Sequence, residues 1–275
     1  MANTLIVGAG WLGAPLAQSL ENDGCSVVVT RRTQERLDEL PSELTHTALL
    51  DLNQANAAQQ LSDLIQQHQI DSILGTFPPG FRKGGGQEYA QQWKTLASVA
   101  KQSNVKKLLM ISSTTVYPTL PLPMTENMAS LNLALNSSDF SDNARIMLEA
   151  EQHVIDSGVN FVILRCSGLI GPNRHPARFA TRLKQVSQNA PANMLHLDDA
   201  IGAVTFALQK LDNQIVNVTA PHTVSKAEFY QAAINKSGDD IPLPPVNDIA
   251  DKHILADKLT SLGYQFHFNS TLDAL

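Results

Sequence analysis

Apolar residues recur along this chain in two rhythms, short continuous runs alternating with stretches where every third or fourth position is apolar. Leu5-Ile6-Val7 is long enough for a buried parallel strand, and Leu12, Leu16 and Leu20 then recur at helical spacing. Asn22-Asp23-Gly24 supplies a turn, and residues 25–30 read as a second strand. Leu49-Leu50-Asp51-Leu52 reads as the end of a third strand, residues 54–67 as a polar helix, and residues 71–77 as a fourth strand stopped by Pro78-Pro79-Gly80. Residues 88–103 form the next helix, with Trp93, Leu96, Ala97 and Ala100 on one face, and residues 107–113 a fifth strand. Pro242 to Pro245 reads as a rigid linker, and residues 249–262 as a late helix. Strands alternating with helices predict an α/β fold on a parallel sheet.

Between the first strand and its helix, Gly8, Gly10 and Gly13 fall in the order G-x-G-x-x-G. A dinucleotide needs this arrangement: Gly8 permits the tight turn, Gly10 lets bare backbone approach a pyrophosphate, and Gly13 lets the helix pack close on the strand. The N–H groups and positive dipole end of that helix then face the phosphates. Gly8, Gly10, Trp11, Leu12 and Gly13 are therefore cofactor candidates; the alternative is a glycine turn that serves only the fold. Arg31 and Arg32 follow the second strand where an acidic residue would favour NAD. Arginines there can grip the 2′-phosphate of NADP, so NADP is the expected cofactor and NAD the second choice. Read otherwise, the two arginines are solvated charges. Asp51, with Leu52 beside it, either reaches an adenine amino group or caps the following helix. Thr76, Phe77 and Pro78 fall at the carboxyl edge of the sheet, where ligands bind in doubly wound folds. Phe81-Arg82-Lys83-Gly84-Gly85-Gly86 reads as a mobile loop able to close over an anionic substrate, or as a plain surface loop.

Composition narrows the class. A chain of 275 residues with 43% hydrophobic residues can bury a large core. Its net charge of −6, with no basic block, leaves no electrostatic footprint for nucleic acid. Cys25 and Cys166 sit far apart in apolar runs and read as buried free thiols, with neither disulfide nor metal site expected. The chain opens directly on a strand and holds no apolar run of transmembrane length, so a soluble cytoplasmic protein with no membrane partner is expected.

Ile111-Ser-Ser-Thr-Thr-Val-Tyr-Pro118, Leu164-Arg-Cys-Ser-Gly-Leu-Ile-Gly-Pro172, Leu195-His-Leu-Asp-Asp-Ala200 and Ile215-Val-Asn-Val218 occur in the order of characteristic segments of one family. With the glycine turn, they make the chain resemble the extended short-chain dehydrogenases/reductases, the NAD(P)-dependent epimerase/dehydratase group. Gly10-Trp-Leu-Gly13 and Gly171-Pro-Asn-Arg-His-Pro176 resemble its atypical bacterial YeeZ-like subgroup. The resemblance implies a Rossmann-type doubly wound parallel sheet of about seven strands. It implies a cofactor domain over residues 1–165, completed by residues 195–220, and a small substrate lobe from residues 166–194 and 221–275. It also implies a homodimer paired through the helices near Glu88 and Ala144, and a sugar-like or nucleotide-sugar substrate. Ser113 takes the place of the family's catalytic serine, and Thr114 and Tyr117 fall on the substrate side. Arg174 and Arg178 are spaced to hold a phosphate or carboxylate, or else mark a solvated helix start. His196 reads as a structural histidine, and Asp198 as the N-cap of the next helix.

One departure cuts against the resemblance. The family moves a proton with a Tyr-x-x-x-Lys pair, and alignment on Leu148-Glu-Ala-Glu151 places Asn143 and Met147 at those positions. Neither transfers a proton near neutral pH. On a helix, 143, 147, 150 and 154 share a face, and Arg145 and Glu149 read as an i,i+4 surface pair on the other side. Two functions follow: an NAD(P)-dependent oxidoreductase or epimerase that has lost the usual acid/base pair, or a non-catalytic NAD(P)-dependent sensor.

Overall fold

The computed structural model describes residues 3–44, 46–81 and 84–275. Seven strands form one sheet: β1 (Asn3–Val7), β2 (Ser26–Arg31), β3 (His46–Leu49), β4 (Ser72–Gly75), β5 (Lys107–Ser113), β6 (Asn160–Cys166) and β7 (Gln214–Val218). Their order is β3-β2-β1-β4-β5-β6-β7, and every pairing is parallel. All carboxyl ends therefore share one edge. The chain winds outward from β1 through β2 to β3, then returns to the other side of β1 with β4. That reversal places the switch point of the topology between β1 and β4 at the carboxyl edge, the ligand position of doubly wound sheets.

Alternation along the strands divides the core in two. Leu5 and Val7 face a cluster closed by α2 (Ala57–Gln67), α3 (Tyr89–Gln102) and α4 (Asp142–Ile155). Ile6 faces a second cluster closed by α1 (Gly13–Asn22) and α5 (Leu197–Lys210). Strands buried on both faces explain the unbroken apolar runs of the sequence. A third, smaller cluster gathers Ile170, Ala177 and Val186 with Phe229 and Ile234 of α6 (Lys226–Ser237) and with Ala274.

Several expectations change. The third strand ends at Leu49 and α2 starts only at Ala57. The late helix shrinks to Asp257–Ser261, because His253–Ile254 is a strand paired in parallel with Pro123–Met124. The Asn193 side chain fixes it, donating to Lys252 O (2.9 Å) and accepting from Ile254 N (3.0 Å). Those distant bonds, and burial of Ile254 in the first cluster, outweigh the local helical rhythm. Helix α5 starts at Leu197, and its N-cap is His196, not Asp198: the imidazole Nδ1 accepts from Asp198 N at 3.2 Å. Asp198 is exposed, while Asp199 is buried and accepts from His267 N and Phe268 N, tying the end of the chain to α5. Cys166 is a buried free thiol, its pKa pushed up to about 12 by burial, and Cys25 is free and half-buried.

Candidate dinucleotide site

The glycine turn is built from β1 into α1. Ala9 N donates to Thr30 O and Gly10 N to Gly8 O, folding the chain back on itself. The three glycines are glycine for different reasons. Gly8 takes φ +92° with Phe77 Cβ 2.8 Å from where its own Cβ would be. A Cβ on Gly13 would meet Thr76 Oγ1 at 2.6 Å and Gly8 O at 3.1 Å. Gly10 has no such neighbour: its Cβ would come no nearer than 3.7 Å to anything, and its φ is not positive. The protein's own packing explains Gly8 and Gly13 but does not require a glycine at position 10. Helix α1 has no side-chain N-cap and no acidic residue in its first turn, so its N-terminal donors suit an anion.

Trp11, inside this turn, reaches the segment that follows β6. Its indole Nε1 donates to Pro172 O at 3.1 Å, and the Arg174 guanidinium lies 5.1 Å from its ring centroid. Arg174 closes a four-residue turn from Gly171, its N donating to Gly171 O at 2.9 Å, with Asn173 at φ +60°. Pro second and a positive φ third are the marks of a type II turn. Arg178 is on another element, exposed on the short helix Ala177–Ala180, so the two expected anion ligands are set differently.

The other walls come from neighbouring strand ends. Thr76, just past β4, donates from Oγ1 to Gly8 O at 2.8 Å and locks the turn to the next strand. Phe77 stacks on Trp93 with ring centroids 5.0 Å apart, and Pro78 is exposed beside it. Arg31 ends β2 half-buried, its guanidinium pKa lowered by burial with Glu39 partly offsetting, and its Nε has no hydrogen-bond partner among the described residues. Arg32 is exposed. Asp51 does not cap α2; its Oδ1 accepts from Asn53 N at 3.1 Å and closes the turn before it. Leu52 packs half-buried against the first cluster. Arg82 and Lys83 lie outside the described residues; of their neighbours, Gly84 N donates to Phe81 O and Gly85 N to Gly80 O.

At the end of β5, Ser113 is half-buried; its Oγ accepts from Thr115 N at 3.1 Å and lies 3.0 Å from Thr115 Oγ1. Thr114 is half-buried at the start of the 3₁₀ turn that follows. Tyr117 is 1% exposed. Its hydroxyl donates to Asn217 Oδ1 at 2.5 Å and accepts from Arg165 Nη1 at 3.2 Å. Burial pushes its pKa up to about 12, against the pull of Arg165. The Arg165 guanidinium, also 1% exposed, forks onto Glu151 (Nη2 to Oε2, 2.7 Å) and bonds Glu126 O and Ala129 O. Burial works to lower its pKa, but Glu151 outweighs this and the net shift is upward. Ser112 Oγ donates to Glu151 Oε1 at 2.6 Å. Every partner is satisfied internally, so this network holds β5, β6, β7 and α4 together.

A family profile described as NAD(P)H-binding matches residues 8–193. The chain belongs to this NAD(P)H-binding family. Protein YeeZ of Escherichia coli strain K12 is 30% identical over 233 residues, 84% of this chain and 82% of YeeZ. Bordetella bronchiseptica WbmH, solved in complex with NAD+, superposes with a TM-score of 0.78 at 18% identity, over 100% of this chain and 95% of that one. UDP-glucose 4-epimerase of Thermotoga maritima, solved with UDP-glucose, gives 0.75 at 15% identity over 99% and 96%. dTDP-glucose 4,6-dehydratase of Bacillus anthracis, solved with NAD, gives 0.77 at 15% identity over 100% and 95%. These structures establish the shared epimerase/dehydratase fold.

An NAD(P)H-binding chain needs a backbone cradle for a diphosphate, and the side-chain-free backbone at Gly10 with the uncapped start of α1 fits that need. The positions of the usual proton-transfer pair do not supply its chemistry. Asn143 is exposed on the first turn of α4, and Met147 is 1% exposed within the first cluster, with Ala150 and Val154 buried on the same face. The expected Arg145–Glu149 pair does not form: Arg145 bonds Asp142 at 2.9 Å and the carbonyls of Ala134 and Ser137, while Glu149 lies 4.0 Å from His153. Sequence reading missed Glu151, Arg165 and Asn217. The signal was available, because a lone arginine inside the apolar strand Asn160–Cys166 must find a carboxylate, and Glu151 sits on the buried stripe of α4.

Proposed function

We propose that this protein binds NADP at the switch point between β1 and β4 and acts as an oxidoreductase or epimerase on a sugar-like or nucleotide-sugar substrate. The observation that carries the reading is Gly10, a glycine that the protein's own packing does not require, since its Cβ would make only an ordinary contact with Gly8 O at 3.7 Å, in the turn where a dinucleotide's diphosphate would rest. When bound, the nicotinamide supplies or accepts a hydride. The half-buried Arg31 guanidinium, whose Nε has no hydrogen-bond partner among the described residues, and the exposed Arg32 favour the 2′-phosphate of NADP; NAD is the second choice. Asp51, Leu52, Thr76, Phe77 and Pro78 line the adenosine and ribose side. The Ser113–Thr115 hydroxyl pair, with Thr114, orients a substrate oxygen at the end of β5. Arg178 offers a cation to the substrate from the small lobe. With Asn143 and Met147 in the customary places, the proton passes through water or through the substrate itself.

A second reading is a non-catalytic NADP-dependent sensor, favoured by the exposed Asn143 and the buried Met147. Turnover separates the two. In a thermal-shift screen with dinucleotides and nucleotide sugars, the enzyme reading expects a sugar-dependent change in cofactor absorbance; stabilisation by cofactor without turnover of any sugar supports the sensor. In a fluorescence titration, NADPH should bind more tightly than NADH, and replacing Arg31 and Arg32 by Ala should erase the difference. Equal or reversed affinities in the unsubstituted protein remove the NADP assignment.

A further inference from the structure

The turn from Gly8 to Gly13 carries no charged side chain, and a helix N-terminus offers an anion only about half an elementary charge. A dinucleotide diphosphate carries two negative charges. A cation is nevertheless brought to the turn from outside it. The segment after β6 folds over Gly171-Pro172-Asn173-Arg174, and its apex touches the glycine turn through the Trp11 indole. In a type II turn the central carbonyl stands away from the closing hydrogen bond, which lets Pro172 O accept from Trp11 Nε1. The next side chain but one, Arg174, then lies on the face of the same ring. The indole is thus held at its edge by a carbonyl and at its face by a guanidinium, and it stands between Gly10 and Leu12, whose backbone forms the cradle. A guanidinium over a ring face keeps its positive charge beside the turn, and guanidinium N–H groups suit the oxygens of a phosphate.

We propose that Arg174 is a ligand of the dinucleotide diphosphate, carried to the glycine turn by the Gly171–Arg174 turn and aimed by Trp11. This assigns Arg174 to the cofactor and not to the substrate, and it makes the segment after β6 the second jaw of the cofactor clamp. It rests on the dinucleotide reading above.

The test is binding affinity for three probes, NADPH, ADP and AMP, measured on the full chain and on Arg174→Ala, Arg174→Gln and Trp11→Phe. ADP carries a diphosphate and AMP does not. Both Arg174 variants should lose about ten- to a hundredfold in affinity for NADPH and ADP, the range of one charge-assisted bond, with AMP affinity unchanged. The unchanged AMP affinity also shows that the variants are folded. Trp11→Phe keeps a stacking face but loses the bond to Pro172, so it should fall between them and the unsubstituted chain. Unsubstituted protein that binds NADPH while both Arg174 variants bind it equally well overturns this inference alone. Equal losses for all three probes place Arg174 in general folding and overturn it too. Unsubstituted protein that binds neither NADPH nor NADH overturns the functional reading, and this inference with it.

Discussion

Three glycines in one turn do three different jobs, and substitution separates them. Gly10→Ala brings its methyl only into ordinary contact with Gly8 O at 3.7 Å, outside the positive-φ region, so the folded chain tolerates it and gains a few tenths to about 1 kcal/mol from a stiffer unfolded state. Gly13→Ala forces Thr76 Oγ1 off Gly8 O, and loses stability. Thermal unfolding with and without NADPH should show an unchanged or slightly raised Tm for Gly10→Ala with no cofactor shift, and a lowered Tm for Gly13→Ala. A Gly10→Ala protein that NADPH still stabilises fully contradicts the cradle. Met147 invites the opposite experiment. Restoring the family's lysine there puts an ammonium at a position 1% exposed among apolar side chains. Met147→Lys should cost several kcal/mol in urea denaturation, because an unpaired charge is buried.

Between elements, the buried Arg165–Glu151 fork is the joint that sets β6 against α4 and, through Tyr117 and Asn217, against β5 and β7. Removing one partner leaves the other charge without compensation. Arg165→Met should therefore destabilise the fold by about 3–5 kcal/mol, far more than loss of an exposed, solvent-screened pair such as Arg36–Glu39. Chemical denaturation of Arg165→Met and Arg36→Ala side by side measures the contrast. The same joint keeps the Tyr117 hydroxyl inside, so this tyrosine cannot stand in for the missing proton donor.

Across the whole molecule, all four tyrosines have folded pKa values raised by burial. For an acid raised on folding, the unfolded chain loses its proton first, and the contribution to stability falls as pH rises from about 10, the free tyrosine value, toward the folded value. Tyr117, at about 12, marks how far that window extends for one of them. In an alkaline titration, tyrosinate absorbance should stay low through pH 10 and emerge together with loss of the circular-dichroism signal. Absorbance that grows near pH 10 in a fully folded protein contradicts this burial. At the same scale, no helix among the described residues is long and apolar enough to cross a membrane.

The amino-acid sequence by itself determined the strand–turn–helix unit around Gly8, Gly10 and Gly13 and the first five sheet strands. These depend on rhythm and residue type within a few positions, and a parallel sheet then sends every strand end to one edge. The last two strands and the loss of the Tyr-x-x-x-Lys pair were legible through the family resemblance. Tertiary structure alone decided the partners. Trp11 meets Pro172 across 161 positions of chain, Tyr117 meets Asn217 across 100, and Asn193 turns an expected helix into the strand His253–Ile254 across 61. Likewise His196 caps α5 in place of Asp198, and Asp199 is taken up by the chain end. Such pairs follow from sheet register and from how the chain after β6 folds back onto the glycine turn and the strands, and local sequence preference carries no information about either.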